Sequence, residues 1–369
     1  MINLGEQDKK WVEDIWRKFE KKLSKTAVNI RDFIPYTTKN GKYVPDSTEG
    51  ITWWTNGFFG GLMWLMYNET GNEEYKKTAL LQEKLLDEAF GNYDGLHHDV
   101  GFMWGLTSKA AYILTGNKSS RLRALYAANL LMGRVNIKSG YIRAWNHAKG
   151  YSIIDCMMNI PLLYWASREK EDDRFRYVAQ LHADMTIRHH VRENGSVAHI
   201  AVHQEDRDAL IETLAGQGYC VGSSWTRGQA WAVYGFILSY IHTGEAKYLE
   251  TCRKISDYFL KRAEEYGYVV PADFDQPKED LYIDTSAAVC AACGIIELYK
   301  ATGEGKYLDG AMKLLKGIEK DCVFDESDEA VLQNGLEGYF RKEQLHLIYS
   351  DFFLAEALLK LKGSEFLIW

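Results

Sequence analysis

One turn recurs along this chain. LMYNETGNEEYKKTA, YILTGNKSSRLRAL, YIHTGEAKYLETC and LYKATGEGKYLDGA each set a Thr-Gly pair between two amphipathic runs, at Thr70-Gly71, Thr115-Gly116, Thr243-Gly244 and Thr302-Gly303. REKEDDRFRYVAQL, around Asp172, follows the same plan without glycine. Glycine reaches the left-handed conformation that ends one helix, and the polar residues behind it open the next. Tyr248, Leu249 and Cys252 then resume a helical apolar spacing. A recurring phrase of this kind marks an architecture built from one unit, here a helical hairpin.

Before each of these five turns lies a richer segment, and a sixth lies near the end of the chain. The six are TWWTNGFFGGL, HHDVGFMWGL, IIDCMMNIPLL, SSWTRGQAWAVYGF, YIDTSAAVC and IYSDFFLAEAL. Each puts small, polar or aromatic residues at the start of a strongly apolar helix. A helix apolar on every side must be buried on every side, so these six form an inner ring. The more polar helices after the turns form an outer one. The expectation is an all-α fold, a single (α/α)6 barrel of about twelve helices occupying residues 1–369, with its six inner helix starts gathered at one mouth. Minor β structure is expected around VRENGSVAHIAV and over 266–275. Proline suits a helix's first turn and not its interior, so Pro161 predicts a helix beginning near Met158, with Asp155 in the loop before it.

Charge excludes several functions. The net charge is −7 with no Lys/Arg stripe, which argues against nucleic acid as a partner. No apolar run is long enough to span a membrane, and the first residues carry no secretory pattern. A cytoplasmic location follows as the expectation, with the six cysteines as reduced thiols. Cys290 and Cys293 form a lone C-x-x-C inside an apolar helix, which reads as core packing rather than a zinc site. The 49 aromatic residues exceed what a core alone asks for (11 Trp, 23 Tyr, 15 Phe) and suit flat, hydroxylated rings as ligands.

Asp155 and Asp99 each precede an inner helix and can face one another across the mouth. Apolar neighbours disfavour an ionised Asp155 while a helix N-terminus favours it, so these influences oppose; a simple capping role is the alternative for both residues. His97 and His98 lack a third ligand at metal spacing, and no metal is expected. SSWTRGQAWAVYGF offers Arg227 for an anionic group and Trp225 and Trp231 for stacking on a sugar, with Gln229 between them. Trp53, Trp54, Asn56, Trp145, His199 and Gln217 complete the candidates.

HHDVGFMW, IIDCMMNIPLLYWAS and SSWTRGQAWAVYGF, in that order, resemble the unsaturated glucuronyl hydrolases, glycoside hydrolase family 88, and the resemblance runs from about Trp53 to Leu359. It implies an (α/α)6 barrel and an unsaturated uronic-acid-containing oligosaccharide as substrate. The implied reaction hydrates the Δ4,5 vinyl ether of a lyase product instead of attacking the glycosidic carbon. By resemblance Asp155 is the acid/base and Asp99 the second essential aspartate, with His199, Gln217, Trp225, Arg227 and Trp231 at pocket positions; His98, beside Asp99, is a further substrate-binding candidate. No organic cofactor or metal is implied, and self-association into a homo-oligomer is compatible with it. The stretch NGLEGYFRKEQLHLIYSDFF departs from the Ser/Gly/Lys-containing loop of members that favour sulfated fragments, although Arg341 and Lys342 are cationic. The competing readings are an unsaturated rhamnogalacturonyl hydrolase, a sugar 2-epimerase using His189, His190 and His199 as bases, and a non-catalytic carbohydrate-binding protein.

Overall fold

The computed structural model describes residues 2–48 and 50–369. The recurring turns join helices as their chemistry requires. Gly71, Gly116, Gly244 and Gly303 all sit at φ near +70° and close the preceding helix, their N–H groups bonding four residues back. Asn72 and Asn117 then cap the next helix with their side chains. In the glycine-free turn, Glu171 takes the left-handed position (φ 53°) and Asp172 supplies the cap.

The inner helices are α2 (Phe58–Thr70), α4 (Ala110–Thr115, entered through a π-helical segment, Gly101–Lys109), the pair α6 (Cys156–Asn159) and α7 (Pro161–Lys170), α9 (Thr226–Thr243), α11 (Thr285–Thr302) and α13 (Ile348–Lys362). The outer helices are α1 (Glu6–Asn29), α3 (Glu73–Leu86), α5 (Lys118–Met132), α8 (Asp173–His189), α10 (Ala246–Glu264) and α12 (Gly305–Gly317). The twelve-membered (α/α)6 barrel expected from the repeats is therefore observed, and α13 closes the ring by packing on both α2 and α11. The inner starts of α9, α11 and α13 are buried on all sides. Cys290 and Cys293 lie within α11, fully buried and unpaired.

One detail differs from expectation. The helix after Asp155 begins at Cys156, not near Met158; it breaks at Ile160 and restarts with Pro161. Proline lacks the N–H that a continuous helix needs.

Strands are short and serve the mouth: β1 (Thr37–Lys39) with β2 (Lys42–Val44), β3 (Val135–Asn136) with β4 (Tyr141–Ile142), and a three-stranded antiparallel sheet of β5 (Tyr151–Ile153), β6 (Ile200–His203) and β7 (Leu210–Leu214). The last pair is β8 (Gly335–Leu336) with β9 (Gln344–Leu345). The β structure expected over 191–202 is present as β6 and a bridge between Val191 and Val197. The 266–275 stretch forms only isolated bridges, Trp225 with Asp273 and Pro271 with Ile283.

Aromatic rings fill the barrel axis. Trp54 packs on Phe58, Phe102, Trp231 and Tyr349. Below them Phe353 stacks on Trp369, with 6.0 Å between ring centroids. Much of the aromatic surplus is thus a solid axial column.

Candidate active site

A cavity of about 570 Å³ opens at the end of the barrel where the inner helices begin. Asp99, Asp155, His199, Gln217 and Arg227 line it, with Trp53, Trp54 and Trp145 as its aromatic walls.

The sheet places its two central groups. β5 pairs with β6 so that Ile153 faces Ile200, and the ladder continues as Ile154 N–H donates to the His199 carbonyl. Asp155, just beyond β5, therefore meets His199, just before β6. His199 Nε2 lies 3.5 Å from Asp155 Oδ1. The ring's tautomer follows from its other side: the backbone N–H of Gln217 donates to Nδ1 at 3.0 Å. With Nδ1 an acceptor, Nε2 carries an N–H on the side of Asp155, within ion-pair reach but outside hydrogen-bonding geometry. Gly216 makes this approach feasible, since a Cβ there would fall 2.0 Å from His199 Nδ1. Trp225 tilts against the opposite side of the ring, 4.4 Å between centroids. Asp155 makes no side-chain capping bond. Its Oδ1 is buried, leaving Oδ2 as the oxygen presented to the cavity.

Asp99 is held differently. Its Oδ1 lies 3.1 Å from His98 Nε2, and its Oδ2 lies 3.2 Å from His97 Nδ1. The first contact is within ion-pair reach but off the hydrogen-bonding direction. His98 Nδ1 faces the Ala144 carbonyl at 2.9 Å, so both nitrogens of this buried ring look at acceptors. Burial works against the imidazolium, but Asp99 and the carbonyl outweigh it and the His98 pKa is raised. Burial likewise works against an ionised Asp99, and the two histidines overcome it, holding the carboxyl well below the usual range. His97, His98 and Asp99 are the one trio of metal-capable donors within 4.8 Å of one another among the described residues.

Several candidates lie elsewhere than expected. Trp231 is fully buried in the axial column and does not reach the cavity. Gln229 is also internal, accepting from Val197 N–H and donating to the Gly195 carbonyl. Asn56 donates to the carbonyls of Gly50 and Ile51, which shapes the turn carrying Trp53 and Trp54. Trp225 and His98 act behind the wall, against His199 and Asp99. Arg227 lines the cavity, but its anionic partner is the protein's own Asp284, 2.8 Å away and fully buried. It also donates to the carbonyls of Leu336 and Glu337.

Other residues enter that sequence reasoning passed over. Tyr349 lines the floor and belongs to the sixth run-in segment, a signal that was available. Tyr36, Glu337 and Phe340 come from loops with no periodicity to mark them. Arg341 reaches the rim, paired with Glu337 at 3.2 Å, and Lys342 is taken by Asp280 at 2.5 Å. His189 and His190 do not line the cavity; they join Ser152 and His203 in an internal hydrogen-bond chain. That removes the pair of bases a 2-epimerase would need from them.

No protein-family model matches the chain. Over 94% of its length it is 34% identical to the unsaturated glucuronyl hydrolase of Bacillus sp. (strain GL1), covering 96% of that protein. It is 30% identical to the unsaturated chondroitin disaccharide hydrolase of Streptococcus pyogenes serotype M1, over 94% of this chain and 91% of that one. The crystal structure of the Bacillus sp. GL1 enzyme, described as responsible for the degradation of glycosaminoglycan, superposes with a TM-score of 0.87. That superposition covers 94% of this chain and 97% of the other, at 33% identity.

Proposed function

The chain belongs to the unsaturated glucuronyl hydrolases, and from that premise we propose how its own residues carry the reaction. It is a glycoside hydrolase that releases Δ4,5-unsaturated uronic acid from the non-reducing end of lyase-generated oligosaccharides, glycosaminoglycan fragments among them. Asp155 is the proton donor. His199 Nε2–H faces its Oδ1, which leaves Oδ2 to carry the transferable proton into the cavity. That proton goes to C4, and the ring oxygen stabilises the cation formed at C5. Water adds at C5 and returns a proton to the Asp155 carboxylate. The hemiketal opens to a ketone at C5, and the hemiacetal left at C1 expels the sugar. Asp99, kept ionised by its histidines, accepts hydrogen bonds from the sugar hydroxyls, and Trp53, Trp54 and Trp145 wall the rings.

The observation that supports this assignment most directly is the placement of His199 Nε2 3.5 Å from Asp155 Oδ1, with the Gln217 backbone N–H donating to the ring's other nitrogen. Asp155→Asn tests it. Turnover of an unsaturated chondroitin disaccharide, followed by loss of the alkene absorbance, is expected to fall by a factor of about 1,000 or more while sugar binding persists. Unchanged turnover removes Asp155 from the mechanism. Running an unsaturated pectic disaccharide beside it separates the glucuronyl from the rhamnogalacturonyl reading. The proposal extends to a cytoplasmic setting, in keeping with six cysteines that form no disulfide.

A further inference from the structure

Asn159 is fully buried one helical turn beyond Asp155, and it uses its whole amide. Its Oδ1 accepts from the backbone N–H of Phe102 at 2.7 Å. A backbone N–H can only donate, so this contact fixes which end of the amide is oxygen. Nδ2 must then face the other way, where it donates to Asp99 Oδ1 at 2.8 Å and to the Asp155 carbonyl at 3.2 Å. The amide therefore touches the side chain of one aspartate, the backbone of the other, and the first turn of the helix that follows Asp99. Gly101 belongs to the same arrangement: a Cβ there would lie 2.5 Å from the Asn159 backbone, so the two helix starts meet without a side chain between them.

We infer that Asn159 is a positioning residue that sets Asp99 relative to Asp155, through one amide bridging the two inner helix starts. This deepens the functional reading above and rests on it. A carboxylate paired only with His97 and His98 would be free to swing towards them. The Asn159 donor pulls Oδ1 towards the Asp155 side and keeps the remaining lone pairs of Asp99 turned to the cavity.

Aspartate at this position has nearly the same shape but opposite demands. When ionised it sets an acceptor against Asp99 Oδ1, two negative oxygens at hydrogen-bonding distance. When protonated it restores the original pattern, an O–H donor to Asp99 and a carbonyl acceptor for Phe102 N–H. Leucine has neither state. The pair of variants thus separates a hydrogen-bonding role from packing.

The experiment measures pH–rate profiles of wild type, Asn159→Asp and Asn159→Leu on an unsaturated chondroitin disaccharide. Thermal melts check folding. At neutral pH both variants are expected to lose about 100-fold in kcat/KM, mostly in kcat, as misplacement of a reacting group by about 1 Å would do. As the pH is lowered, the ratio of Asn159→Asp to wild type is expected to climb, while that of Asn159→Leu stays flat. Wild-type turnover in both variants overturns the inference, as does an equal loss with no acid recovery in Asn159→Asp. Should either variant fail to fold, Asn159→Ser decides: reduced kcat at an unchanged melting temperature supports the role, and unchanged kcat overturns it. Inactive wild type would instead count against the functional reading, so the two failures remain distinct.

Discussion

Arg227 lines the cavity and is at the same time anchored in the scaffold by Asp284. Both are buried, at 1% and 0% side-chain exposure, and they meet at 2.8 Å. Removing one charge of such a pair strands the other in a low-dielectric interior. Arg227→Met is therefore expected to lower unfolding free energy by about 3–5 kcal/mol, measurable by urea denaturation. A loss below about 1 kcal/mol would show that Asp284 finds another partner. His199 carries the complementary prediction. His199→Phe keeps the ring against Trp225 but removes the Nε2–H that faces Asp155. It should cost about 100-fold in kcat and, by stranding the Gln217 N–H that donates to Nδ1, about 1–3 kcal/mol of unfolding free energy; unaltered kcat would remove that N–H from the proton transfer.

The turns between paired helices offer a stability test at the level of elements. Glu171 occupies the left-handed position that glycine takes in the four sister turns. An L-residue there is strained by about 1 kcal/mol, so Glu171→Gly should raise unfolding free energy by up to that amount; a drop would mean that glycine's chain entropy outweighs the relief. These turns, and the apolar run-ins between them, made the barrel legible in sequence, because hairpin spacing and burial leave periodic marks. The mouth was legible only where an inner helix opens. Asp99, Asp155, Trp53 and Trp54 carry that signature. The meeting of Asp155 with His199 does not, since it depends on β5 pairing with a strand more than forty residues away. Nor do Tyr36, Glu337 and Phe340, which reach the cavity from irregular loops. Trp231 misled for a helical reason. It lies six residues beyond Trp225, which carries it roughly 9 Å down the axis and about a third of a turn around it, so one tryptophan backs the site and the other packs the core. Asn159 was within reach: four residues after Asp155, it must share a face with it.

For the whole molecule, closure of the ring by α13 couples first and last helices, and we propose that the chain folds as one unit, with a single unfolding transition in calorimetry. Acidity should weaken it for a nameable reason. Burial drives the His190 pKa down to about 4 and that of His203 to about 3, both serving uncharged in the chain through Ser152. Between those values and about 6.5 the unfolded chain binds protons that the fold refuses, so stability falls as pH drops through this window. His190 alone accounts for about 3 kcal/mol by pH 4. His98 has the opposite sign. Its raised pKa contributes stability below about 6.5 that disappears as pH rises through the folded value. Urea titrations from pH 4 to pH 9 are expected to show a maximum, with a steeper acid side that His203→Gln should flatten; a monotonic rise would mean that the His98 pair is unimportant.

The column from Trp54 through Phe353 to Trp369 makes the barrel a well and not a tunnel. Nothing can thread it, so a polymer can offer only its terminus. Such an enzyme removes the one unsaturated residue that a lyase leaves at a chain's tip, finds no alkene on the residue behind it, and cannot cut chains in the middle. The freed monosaccharide leaves by the doorway that the next chain end must use, so released uronate should compete with incoming substrate, and a polysaccharide solution should keep its viscosity while the enzyme works.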